Sequence, residues 1–200
     1  ETLNSIFKKH NIKLDDNKLK SLNIINLNGQ YTNLGLLLSD ECPYSIKCAI
    51  YNGTNKLEFK DRKEFNGSVL KQVNDVFEYL ELFNKTKGKI IGLERIDTKD
   101  YPEYALRESL LNAIIHRDYN YKGSILISLY DDHFEITSLG GIVKGLSLND
   151  LYLGISESRN PNLANIFYRL KYVESFGTGI GRIIESYNDF DKKPVFVDTD

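Results

Sequence analysis

Residues 107–120 read RESLLNAIIHRDYN, and residues 176–184 read FGTGIGRII. The first stretch places Glu108 and Asn112 four residues apart in a run whose apolar positions recur at helical spacing, so both side chains leave one helix face. The second is a glycine-rich turn that opens another helix. Glycines at a helix start let backbone N–H groups approach an anion closely, where the helix dipole also favours negative charge. A carboxylate–amide pair beside such a turn is the equipment needed to hold Mg²⁺ and a polyphosphate. An amide oxygen is a hard, neutral Mg²⁺ ligand, and a carboxylate can take a proton from an attacking water.

Outward from these stretches, the periodicity predicts an α/β chain. Two short helices are expected over 2–10 and 15–25, then a turn with a short β segment at 28–32. Residues 33–39 are an apolar piece. SIKCAIY (45–51) alternates like a strand, and 67–84 is the clearest helix, with Val69, Val73, Val76, Phe77, Leu80 and Phe83 at helical spacing. IIGLERI (90–96) is expected to be a strand. Pro102 suits the first turn of the helix carrying Glu108 and Asn112. Residues 124–132 and 133–138 read as a hairpin, followed by the glycine loop LGGIVKG (139–145). Ser147 is expected to cap a short helix to Leu153. Residues 154–160 read as loop, Pro161 opens a helix to Lys171, and Gly177 opens the last helix. Helix, two strands, loop and helix in that order imply a mainly antiparallel sandwich rather than βαβ units.

Composition limits the function classes. The 200 residues are 41% hydrophobic and 27% charged, with a net charge of −2. That balance lacks the basic excess of most DNA-binding domains. There is no membrane-length apolar run and no signal pattern. Cys42 and Cys48 lack CxxC spacing and read as buried thiols of a cytoplasmic protein, with a redox pair as the alternative. His10, His116 and His133 are scattered, which gives no zinc pattern. With no methionine and a strand-like ending, the chain is expected to be a piece of a longer protein. His116-Arg117-Asp118 matches the HRD of kinase catalytic loops. Gly123 stands where that loop needs asparagine, and no DFG exists, so a kinase is excluded. Arg117 reads equally as a phosphate contact or as a partner of the helix dipole.

The order E-x-x-x-N-A helix, hairpin, glycine loop, variable segment and GTGIG helix resembles the GHKL ATPases: gyrases, heat-shock chaperones, MutL proteins and histidine kinases. Five phrases narrow the resemblance across residues 22–200: YTNLGLLLS (31–39), LRESLLNAIIHRDYN (106–120), FEITSLGG (134–141), SRNPNLANIFYRL (158–170) and VESFGTGIGRI (173–183). These resemble the RecG-like C-terminal, GHKL-type domain of transcriptional regulators and ATP-dependent DNA helicase-related proteins. In such proteins a Schlafen AlbA-type domain, thought to bind nucleic acid, precedes this region.

The resemblance implies a two-layer GHKL-like α/β sandwich with a mainly antiparallel mixed sheet over 67–200. Residues 1–66 would be a small helical lead-in, with a first strand, bridging to the AlbA-type domain. It implies ATP and Mg²⁺ as cofactors, with Glu108 as catalytic base and Asn112 as metal ligand. Ser138, Gly140, Gly141, Gly177, Thr178, Gly179 and Gly181 would join Asn112 around the nucleotide, and residues 142–176 would form a lid. Partners would be a nucleotide, nucleic acid through the AlbA-type domain, and a further copy of the chain. Two departures stand out. Ser138 occupies the place of the aspartate that reads adenine, and Ile115 occupies a place often acidic in ATPases. No Walker A motif is present, so no helicase motor is expected. Nucleotide-dependent regulation, with at most a weak Mg²⁺-dependent ATPase, is the first reading. A degenerate scaffold for oligomerisation or partner docking is the second.

Overall fold

A computed structural model describes residues 1–174 and 178–199. Three short helices open the chain: α1 (Thr2–Lys9), α2 (Asp16–Ser21) and α3 (Asn33–Leu38). Asp15 caps α2 by accepting from the Lys18 N–H, and Thr32 caps α3 by accepting from the Gly35 N–H. The apolar piece at 33–39 is thus a helix, and it buries Leu34, Leu37 and Leu38.

Strands β1 (Ile46–Tyr51) and β2 (Phe59–Phe65) follow, then helix α4 (Val69–Phe83). The second pair of strands, β3 (Thr86–Ile91) and β4 (Glu94–Lys99), forms a separate two-stranded sheet. This corrects the single strand expected over 90–96. The chain reverses there, and Gly92 takes the left-handed backbone (φ +65°) that the tight turn requires. Helix α5 (Glu103–Ile115) comes next, then β5 (Ile125–Leu129) and β6 (Phe134–Thr137). Three helices complete the order: α6 (Leu148–Tyr152), α7 (Pro161–Arg169) and α8 (Gly179–Ser186). Ser147 and Asp150 form a reciprocal capping box at the start of α6.

The main sheet has the order β2-β1-β5-β6. Both outer pairings are antiparallel and the central pair, β1 with β5, is parallel. The sheet is therefore mixed and mainly antiparallel. Alternation puts Ile46, Cys48 and Ile50 of β1 and Ile125, Ile127 and Leu129 of β5 on the buried face. Helices α4 and α5 pack together, and their apolar side chains join these strand residues in one core. The same core takes in Phe7, Leu22, Ile24 and Leu38 from the opening helices. Among the described residues no helix is long and apolar enough to cross a membrane.

Helix α5 is apolar nearly all round. It buries Ala105, Leu106, Leu110, Leu111, Ala113, Ile114 and Ile115. Such a helix is a core element. It is shared between the main core and a small cluster of Ala105, Ile183 and Tyr187, which Phe190 and Phe196 also touch. Glu108 and Asn112 lie on the same helix, where α8 packs against it.

Candidate functional site

Helix α5 holds Glu108 and Asn112 one turn apart, as their spacing predicts. The Glu108 side chain is only 12% exposed. Its Oε2 lies 3.8 Å from the Arg107 guanidinium, and Asn112 Nδ2 donates to its Oε1 at 3.5 Å. That arrangement commits the amide nitrogen to the carboxylate and leaves Asn112 Oδ1 as the acceptor that could meet a cation. Burial pushes the Glu108 carboxyl above the usual range, while Arg107, Asn112 and Arg182 pull it part of the way back. A carboxylate with a raised pKa is a stronger proton acceptor when ionised.

Helix α8 begins at Gly179, directly on this pair. A Cβ at Gly179 would run into Glu108 Oε1 and stand 3.4 Å from Asn112 Nδ2. A side chain at 179 would therefore displace the Glu108 carboxylate. The start of the GTGIG helix and the Glu108/Asn112 pair form one contiguous surface. Thr178 is the exposed N-cap residue of α8 and makes no side-chain capping bond. Gly181 has open space where a Cβ would stand, so its contribution is not steric. Gly177 lies outside the described residues.

The other glycine loop joins the site through the end of α5. Ser138 Oγ donates to the Ala113 carbonyl at 2.6 Å, one residue beyond Asn112. The hydroxyl proton is therefore engaged by the helix. Gly140 has φ +94°, and a Cβ there would run into Asp118 Cβ and crowd its backbone N. Asp118 N–H in turn donates to the Leu139 carbonyl at 2.8 Å. Glu108, Asn112 and Gly179 are in mutual contact; Ser138, Gly140 and Gly141 are tied to the same helix end.

Arg117 is settled differently from either sequence expectation. It is buried, its guanidinium lies over the rings of Tyr44 and Tyr119 at 4.7 and 5.2 Å, and it donates to the carbonyls of Tyr121 and Gly123. It holds the α5–β5 turn and is not available to a phosphate.

Two residues of the polar 154–160 stretch carry more than a loop's role. Arg159 donates to Gly141 O at 2.6 Å and meets Asp118 Oδ2 at 3.3 Å. Asn160 Nδ2 donates to the carbonyls of Ile115 and Arg117 at 2.8 and 2.7 Å. Asn160 fastens backbone carbonyls at the C-terminal end of α5, and Arg159 ties the glycine loop to Asp118 just beyond it. Both fall in the phrase SRNPNLANIFYRL (158–170), which carried the resemblance without giving either residue a role. Burial and the Arg159 charge lower the pKa of His116, beside them. Among the described residues no group of three or more His, Cys, Asp or Glu could hold a metal by itself. A cation here would need ligands from a polyphosphate and water besides Asn112.

A helix layer on a mixed, mainly antiparallel sheet, with a carboxylate–amide helix meeting two glycine turns, defines a GHKL-like α/β sandwich. Residues 123–200 match the family described as "Putative ATP-dependent DNA helicase recG C-terminal". Among solved structures, the DIP2311 protein from Corynebacterium diphtheriae is similar in fold, with a TM-score of 0.81 at 22% identity. The match covers 96% of this chain and 40% of that one, so the present chain spans about two fifths of that protein's length. No curated protein matches the chain in sequence.

Proposed function

We propose that this chain is a nucleotide-responsive regulatory domain that takes ATP with Mg²⁺ between α5, the start of α8 and the 138–141 loop. The observation that supports it most is the seating of Gly179 on Glu108 and Asn112. It puts the start of a helix beside a carboxylate and an amide, a combination with little structural purpose in a well-packed apolar interface. In this reading Asn112 Oδ1 holds the cation, and Gly140, Gly141, Thr178, Gly179 and Gly181 surround the nucleotide. The cation neutralises phosphate charge when bound. Glu108 receives the proton of the attacking water if hydrolysis occurs. Ser138 replaces a carboxylate near the base, and its proton is already given to Ala113 O, which supports weak adenine selection. Nucleic-acid contact in the longer protein is assigned to an AlbA-type domain preceding α1, with α1–α3 as the bridge, and a transcriptional role follows from that arrangement.

A second reading has its own support. Gly179 fills the space directly in front of Glu108 and Asn112, as it would in a scaffold that no longer takes nucleotide. Isothermal titration with ATP and Mg²⁺ separates the two, alongside a phosphate-release assay. Under the first reading wild type binds, Asn112→Ala binds more weakly when Mg²⁺ is present, and Glu108→Ala binds but loses roughly 10²-fold or more in turnover. No heat from wild type at millimolar ATP sinks the first reading in favour of the scaffold.

A further inference from the structure

The segment after α8 returns across the site. Lys193 Nζ donates to the carbonyls of Tyr187 and Asn188 at 2.6 and 3.0 Å, which pins the segment's start to the end of α8. Phe196 then packs on the Ala105–Ile183–Tyr187 cluster and meets the Tyr152 ring edge-on at 6.0 Å. Its neighbours Val195 and Val197 point outward, 82% and 76% exposed. The alternation brings Asp198 inward again, onto the glycine loop. Asp198 Oδ1 accepts from the Ile142 N–H at 3.1 Å and lies 2.9 Å from where a Gly141 Cβ would stand. Arg159 holds the same loop from its Gly141 carbonyl. Residues 193–198 thus run from the Ala105 end of the α5–α8 seam to the loop tied to Ala113.

We propose that this segment is a self-inhibitory strap, in which the Asp198 carboxylate takes the glycine-loop N–H that an anionic nucleotide would otherwise use. The inference rests on the nucleotide reading above. Three features carry it. The contact is between an anion and a backbone N–H of a glycine loop, which is the chemistry of phosphate recognition. The absence of a side chain at Gly141 is what admits the carboxylate. The hold is also light enough to release: Asp198 is exposed, and Phe196, only partly buried, is the strap's one apolar anchor. Beyond its Lys193 hinge, the strap is held by one ring and one exposed hydrogen bond, and that part opens at small cost, as a displaceable competitor must.

The test uses Asp198→Ala and Phe196→Ala in the intact chain. Amide exchange at Ile142 reads the strap, and titration of a fluorescent ATP analogue with Mg²⁺ reads the competition. Both positions are exposed or partly so, and a thermal melt checks that each variant keeps the fold. The expected result is exchange at Ile142 faster by roughly tenfold and an analogue dissociation constant lower by about threefold or more in each variant. Unchanged Ile142 exchange in Asp198→Ala overturns the strap. Faster exchange with an affinity equal to that of a wild type that binds shows that the strap does not compete, and it overturns the inference while leaving the nucleotide reading intact. No analogue binding by wild type or either variant overturns both together.

Discussion

At the scale of single residues, the contact between Gly179 and Glu108 makes the sharpest prediction. Gly179→Ala places a methyl where the Glu108 carboxylate now lies. The atom that must give way is the far end of a side chain, and alanine favours a helix over glycine by about 1 kcal/mol. The variant should therefore melt within a few degrees of wild type while the carboxylate is displaced. Nucleotide affinity or turnover should fall, as judged by titration and phosphate release. A large loss of stability with unaltered binding would show the glycine to be purely structural. Glu108 itself makes a pH prediction. Burial raises its pKa, so the folded chain holds that proton more tightly than the unfolded chain does. Its contribution to stability is fully present below the ordinary carboxylate range and is lost as pH rises through the folded pKa. Glu108→Gln should melt higher than wild type near neutral pH, and the two curves should converge below about pH 4. Melts of both proteins across that range decide it. Curves separating instead at low pH would mean that the carboxylate is stabilised as an anion.

At the scale of elements, the α5–β5 connection depends on one buried side chain. Arg117 lies on two tyrosine rings, donates to two carbonyls, and is in no ion pair among the described residues. Arg117→Ala leaves both carbonyls without that donor and opens a cavity, a loss of roughly 3 kcal/mol. Arg117→Lys should recover little of it, because an ammonium lacks the planar face and the forked donors. Urea midpoints measure both; full rescue by lysine would contradict the account. The same connection shows what could be read in the chain beforehand. Helices α4 and α5 and the β5–β6 hairpin follow from periodicity, since each has a buried side that spaces its apolar residues. Strand β2, FKDRKEF, is exposed at every position but Phe65, so no alternation marked it. The β3–β4 hairpin hid because its turn sits inside a run that otherwise reads as one strand. In the site, the Glu108–Asn112 pair was legible because helix spacing sets its geometry, and Gly179 because a glycine-rich turn marks a helix start. Arg159 and Asn160 were not, since they act on backbone carbonyls that only the folded chain brings near.

At the scale of the whole molecule, one apolar cluster runs from Phe7 and Leu38 through the sheet to Phe167. The opening helices and the sheet should therefore unfold together. The thiols can report it: Cys42 follows α3, Cys48 lies on β1, and both are free and buried. Burial pushes the Cys48 thiol up to about 12 and raises Cys42 as well, so neither offers thiolate while folded. A maleimide at mildly alkaline pH should label both slowly and at one common rate, accelerated in parallel by urea. Earlier labelling of Cys42, followed by mass spectrometry, would show that the helical lead-in opens by itself. The central pairing of the sheet has a further consequence. Ile46 is aligned with Ile125 in the parallel pair, with α4, the β3–β4 hairpin and α5 all lying between them in the chain. On a ribosome, β1 and β2 emerge long before β5 exists. Until then the Ile46–Cys48–Ile50 face lacks α5 and the β5 side chains of its core, and the nascent chain carries a half-built sheet with one open central edge. Completion must wait for β5 to be synthesised, and that interval is where a chaperone would have most to protect.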